Sequence, residues 1–148
     1  DRLGFAYLGD GGGCVRRADT GQVESFVTPM KAAPGSSTIV GSLGPVLEGE
    51  PRTGCVRVGP GDLVLLGTDG IFDRVALDDL CRGVMDALRE FHGDIPLALK
   101  AIVDDLAGQR TVSGHLICDD NMTLAAIIVP ELAGPETAAS GFGGGGKA

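Results

Sequence analysis

The stretch Asp62-Leu63-Val64-Leu65-Leu66-Gly67-Thr68-Asp69-Gly70-Ile71-Phe72-Asp73 decides how the chain is read. Its run from Leu63 to Leu66 is apolar on both faces of an extended backbone, the pattern of a central strand covered on both sides. The run closes on Asp69, in a context that would otherwise be core. A carboxylate there is costly unless it is paired, hydrogen-bonded or bound to a cation. Gly70 lets the backbone turn sharply just after it.

A second apolar, β-branched run, Met122 to Val129, begins directly after Asp119-Asp120-Asn121. If it lies antiparallel to residues 63–68, the end of one strand meets the start of the other. Asp69 and Asp120 then converge at one edge of a sheet. Converging oxygens without Cys or His suit a hard cation such as Mg²⁺ or Mn²⁺. On spacing alone, both residues could equally cap turns and helices, where Asp is common.

Working outward, residues 3–8 read as a strand followed by the turn Gly9-Asp10-Gly11-Gly12-Gly13, and residues 14–17 and 22–28 as further strands of an antiparallel meander. Residues 29–54 are rich in Gly, Pro and Ser without periodicity. They read as a long irregular loop, either a functional flap or a connector. Residues 55–58 form a short strand and residues 59–62 a turn. Leu77, Leu80, Val84, Leu88 and Phe91 place a helix over 75–91, with Asp73 as a candidate cap and His92-Gly93 as its end. A second helix starts at Pro96 and stops near Gly108. The order predicts an α+β fold: a mostly antiparallel β-sheet with packed helices. Residues 1–132 form the domain and 133–148 a disordered Gly/Ala-rich tail.

Composition narrows the function. The chain has 148 residues, 43% hydrophobic and 22% charged, with 4% aromatic, so it can bury an aliphatic core. A net charge of −8 argues against nucleic acid and against an anionic membrane surface as partners. No apolar run reaches the roughly 18 residues of a membrane span. Cys14, Cys55, Cys81 and Cys118 form no C-x-x-C pair and read as free thiols of an intracellular protein. The Gly-rich turn at residues 9–13 lacks the Lys-Ser/Thr of a nucleotide-binding loop. Arg16-Arg17 reads as a solvated pair on a hairpin, and His115 as a plain loop histidine. The chain has no starting Met and opens inside a strand, so it reads as cut from a longer one.

Three motifs together carry a resemblance. The quoted stretch resembles the hallmark of the metal-dependent serine/threonine protein phosphatases (PPM, type 2C): an Asp, an apolar run, Ser/Thr-Asp-Gly, two apolar residues and Asp. Asp120-Asn121-Met122-Thr123 is similar to the family's closing Asp-Asn-hydrophobic-Ser/Thr strand. Ala6-Tyr7-Leu8-Gly9-Asp10-Gly11 is similar to its strand ending in Gly-Asp-Ser, with Gly11 in place of the Ser. The motifs occur in the family's order and cover roughly residues 3–130, the C-terminal portion of such a domain, with a two-helix insertion where the family has one.

The resemblance implies the family's β-sandwich flanked by helices, and a protein serine/threonine phosphatase working through a binuclear Mg²⁺ or Mn²⁺ centre. Asp69 and Asp120 would be ligands of one metal, and Asp10 would help to hold a looser third ion. The loop from Pro29 would be the family's variable flap. The substrate would be a phosphoprotein and the chain a monomer, cytoplasmic or organellar; Phe26-Val27-Thr28-Pro29 is similar to a subgroup with organellar members. One departure stands out. The family's first motif, an Asp-Gly pair with a following His, should precede Asp10. It supplies the metal-bridging Asp, and the phosphate-binding Arg and general-acid His belong to the same part. Without that part these residues are expected to bind metal weakly and turn over little substrate. The alternative is a catalytically inactive regulatory or scaffold module of the same family.

Overall fold

The computed structural model describes residues 1–33, 38–41 and 49–131. Its elements are β1 (Arg2–Tyr7), β2 (Gly12–Arg16), β3 (Val23–Val27), β4 (Arg52–Arg57), β5 (Leu63–Gly67), α1 (Asp69–Phe72), α2 (Leu77–Glu90), α3 (Ile95–Gly108) and β6 (Leu124–Ile128). They make a four-stranded antiparallel sheet in the order β3-β2-β5-β6 and a two-stranded antiparallel ribbon, β1-β4. This is the expected α+β class with helices on an antiparallel sheet.

The doubly apolar run explains the layering. Leu63 and Leu65 on β5, with Cys14 on β2, join Leu80, Cys81, Val84 and Leu88 of α2 and Ala98 and Leu106 of α3 in one buried cluster. On the opposite face Val64 packs with Val15, with Val56 of β4 and with Val58 just after it. Phe5 of β1 reaches Phe26 of β3, ring centroids 5.1 Å apart. The order is thus helices, sheet, ribbon. Each fully buried Leu, Ile or Val in the middle layer contributes about 1.5–3 kcal/mol.

The ribbon covers only part of its face of the sheet. An apolar cleft of about 460 Å³ opens between the layers, bordered by Phe5, Tyr7, Val64 and Leu66. Leu66 and Ile127 remain 44% and 55% exposed on it.

Some expectations are corrected. The opening is not a simple meander: β1 pairs with β4, Leu3 opposite Val56, and only β2 and β3 form a hairpin. A hairpin needs only a tight turn, whereas the β1–β4 pairing joins strands far apart in sequence, which local pattern does not encode. Asp73 does not cap α2, whose first residue follows Ala76 with no side-chain cap; it closes the one-turn α1 instead. Arg17 is not a solvated pair-mate of Arg16. Its guanidinium donates to the Asp62 carboxylate at 3.0 Å, to Glu24 at 2.6 Å and to the Arg57 carbonyl at 2.5 Å. Asp62 is 5% exposed and also accepts from the N–H groups of Ala18 and Gly59.

Helix ends follow their chemistry. At the end of α2, His92 and Gly93 take positive φ, and the Gly93 N–H returns to the Leu88 carbonyl at 2.7 Å. The Asp94 side chain accepts from the Leu97 N–H at 3.0 Å and caps α3. In the loop after Pro29, Lys31 and Ile39 pair antiparallel. Residues 34–37 and 42–48 of that loop, and the expected tail at 133–148, lie outside the described residues.

Candidate functional site

The antiparallel neighbours β5 and β6 bring the two apolar runs together as expected, Gly67 opposite Leu124. Beyond that pair Thr68 acts as a clasp. Its N–H donates to the Thr123 carbonyl at 3.1 Å. Its hydroxyl donates to the Asn121 carbonyl at 2.8 Å and accepts from the Thr123 N–H at 3.0 Å. Residues 121–123 are thereby tied to the end of β5, which sets Asp120 beside Asp69.

Glycines make this approach possible. A Cβ on Gly70 would stand 2.5 Å from the Asn121 carbonyl oxygen, and one on Gly67 2.7 Å from that of Thr123. On the other side of β5, a Cβ on Gly11 would stand 2.7 Å from the Gly67 oxygen, and one on Gly12 2.0 Å from the Phe72 ring. Gly9, at φ 118°, turns the chain from β1 towards β2. The turn carrying Asp10 is therefore drawn against the same end of β5.

Asp69 thus lies within the influence of both other sequence-selected carboxylates, Asp10 and Asp120. Partial burial raises the Asp69 pKa first; the charge of Asp10, a hydrogen bond shared with the Asp10 carboxyl and the charge of Asp120 raise it further, against the Gly70 N–H, which lowers it. Asp69 is half-buried and Asp120 exposed, its Oδ1 accepting from the Asn121 N–H at 2.7 Å. Among the described residues, no group of three or more His, Cys, Asp or Glu side chains is arranged closely enough to grip a metal ion. The site is an acid pair with a third carboxylate nearby, all oxygen and crowded with negative charge.

Two neighbours escaped the sequence reading. Lys31, from the loop after β3, forms an ion pair with Asp73, and that hydrogen bond raises its pKa; the charges of Asp69 and Asp10 act on it in the same direction. Arg74 pairs with Asp119 at 3.0 Å. Asp73 stood in the quoted motif, but Lys31 sits in a stretch without periodicity, and nothing local announces its partner. His115 lies in the exposed turn at residues 111–115 that its carbonyl closes with the Thr111 N–H at 2.8 Å.

No protein-family model matches the chain. No curated protein matches it by sequence. Solved structures do. The Mycobacterium tuberculosis serine/threonine phosphatase PstP/Ppp superposes with a TM-score of 0.61 at 19% identity, over 88% of this chain and 56% of that one. The S. agalactiae serine/threonine phosphatase gives 0.61 at 18% identity, over 88% and 55%. The catalytic domain of PstP in complex with two manganese ions gives 0.54 at 18% identity, over 87% and 54%. The chain spans about half the length of these structures. These superpositions show that the chain has, over 88% of its length, the fold of about half of a PPM-type serine/threonine protein phosphatase.

Proposed function

We propose that this chain is part of a metal-dependent protein serine/threonine phosphatase, and that Asp69, Asp120 and Asp10 belong to its metal centre. The observation that carries the reading is the approach of Asp10 and Asp120, from separate segments, to Asp69 at the end of β5, which with partial burial holds the Asp69 carboxyl above its ordinary pKa. Crowded carboxylates repel one another, and a hard divalent cation relieves that repulsion. The donor chemistry fits Mg²⁺ or Mn²⁺, and a fold neighbour was solved with two manganese ions.

When bound, such ions lower the pKa of a water and neutralise charge on a phosphoryl group. The residues of this chain do the rest. Asp69 and Asp120 supply oxygen ligands, and Thr68 fixes their spacing through residues 121–123. Asp10 adds negative charge on the other side of β5. No nucleophilic Cys or Ser is required, and a phosphoserine or phosphothreonine protein is the substrate class.

A second reading, an inactive module of the same fold, draws on Lys31. Its ammonium already stands beside Asp73 and within the field of Asp69 and Asp10, so part of the negative charge is answered by the protein itself. The two readings part in one experiment. Mn²⁺ added to ¹⁵N-labelled protein should broaden the amides of Asp10, Gly70 and Asn121 first, and a phosphothreonine peptide should bind only with Mn²⁺ present. Absence of selective broadening favours the inactive module. Turnover of that peptide by these residues alone is expected to be near background, and robust turnover would contradict the incomplete-centre account.

A further inference from the structure

We infer that Cys14 and Cys81 form a modification site: a buried thiol pair that a hydroperoxide converts to an intramolecular disulfide joining β2 to α2. The two sulfurs lie 3.7 Å apart although 67 residues separate them in sequence. Both side chains are fully buried in the layer between sheet and helices. A disulfide needs the sulfurs to approach by about a further 1.7 Å, within reach of small side-chain rotations on a strand and a facing helix.

The surroundings act differently on the two thiols. The Cys14 thiol is pushed up by its hydrogen bond with Cys81 and by burial. That same bond lowers the Cys81 thiol, which burial opposes and the Arg16 charge assists. Either thiol can react first, and with Cys81 leading the steps run in order. The Cys81 thiolate attacks the O–O bond, an S–O bond forms and the first water (or alcohol) leaves. The Cys14 sulfur then attacks Cys81, the S–S bond forms, the S–O bond breaks, and the second water departs with the Cys14 proton. Two thiols are oxidised and one hydroperoxide is reduced. The other cysteines lack this arrangement: Cys55 is exposed, and Cys118 is buried, raised by that burial, with no sulfur contact among the described residues. Cys81 lies early in α2, whose start has no side-chain cap, so fraying of that end is the route of entry.

The test uses the Cys55→Ser chain with hydrogen peroxide, at the dose that fully oxidises Cys55 of the unsubstituted protein. Free thiols are then alkylated under denaturing conditions and the chain is digested with trypsin without reductant. Cys14 and Cys81 fall in the separate peptides 3–16 and 75–82. The expected result is a linked pair of these peptides, lost on treatment with dithiothreitol and absent from Cys14→Ser, with a reversibly raised Tm for the oxidised protein. Full alkylation of both thiols overturns the inference. So does over-oxidation of Cys81 with Cys14 free, or a disulfide from either residue to Cys118.

Discussion

Asp62 and Asp69 flank the same strand and sit in opposite electrostatic settings. Burial pushes the Asp62 carboxyl up, but the N–H groups of Ala18 and Gly59 and the Arg17 guanidinium outweigh it and hold the group below its ordinary value. Its contribution to stability is present above the unfolded pKa and lost as pH falls through the depressed folded one. Asp69 is raised, so its contribution has the other sign: it is present below the unfolded pKa and lost as pH rises through the folded one. Urea midpoints measured across the acidic range should therefore show Asp69→Asn removing the loss on the rising side, while Asp62→Asn removes the loss on the falling side. Asp62→Ala should also cost about 1–3 kcal/mol in urea unfolding, because the Ala18 and Gly59 N–H groups lose their acceptor, while Arg17 keeps Glu24 and the Arg57 carbonyl. The carboxylates were legible from their positions at the ends of apolar runs. Lys31 and Arg17 were not, because hydrophobic pattern carries no information on where a long cationic side chain finds its partner.

At the scale of elements, the site depends on the clasp between β5 and the segment leading into β6. Thr68→Val keeps the shape and removes both hydroxyl hydrogen bonds, leaving the Asn121 carbonyl and the Thr123 N–H to water. A loss of about 1–2 kcal/mol is expected from denaturant unfolding, with weakened Mn²⁺ binding although no carboxylate has changed. Gly70→Ala forces a Cβ against the Asn121 carbonyl and should cost about 1–3 kcal/mol, with displacement of the Asn121 amide resonance as the local readout. The elements themselves were largely readable. The stripe on α2, the turn chemistry at His92-Gly93 and the two apolar strands each follow local rules, and the antiparallel meeting of β5 and β6 followed from the pairing of two buried runs. The one-turn α1 was missed because four residues carry no periodicity. The cap expected at Asp73 failed because α2 begins at Leu77, which puts Ala76 at the cap position and leaves Asp73 closing α1.

Across the whole molecule, the long-range pairing of β1 with β4 lay beyond the sequence, since it spans the irregular loop and no hairpin signal marks it. The ribbon leaves Leu66 and Ile127 open on the sheet, and this chain covers only 56% and 55% of the two phosphatases that superpose on it. The acids, by contrast, sit where three backbone segments touch through glycine at the end of β5. The central claim is that this end of β5 grips a hard divalent ion. Calorimetric titration with Mn²⁺ tests it most directly, comparing the unsubstituted chain with Asp69→Asn and Asp120→Asn. Saturable binding that weakens by roughly tenfold or more in each variant is the predicted result. Equal affinity in all three proteins, or no binding to any of them, would contradict it.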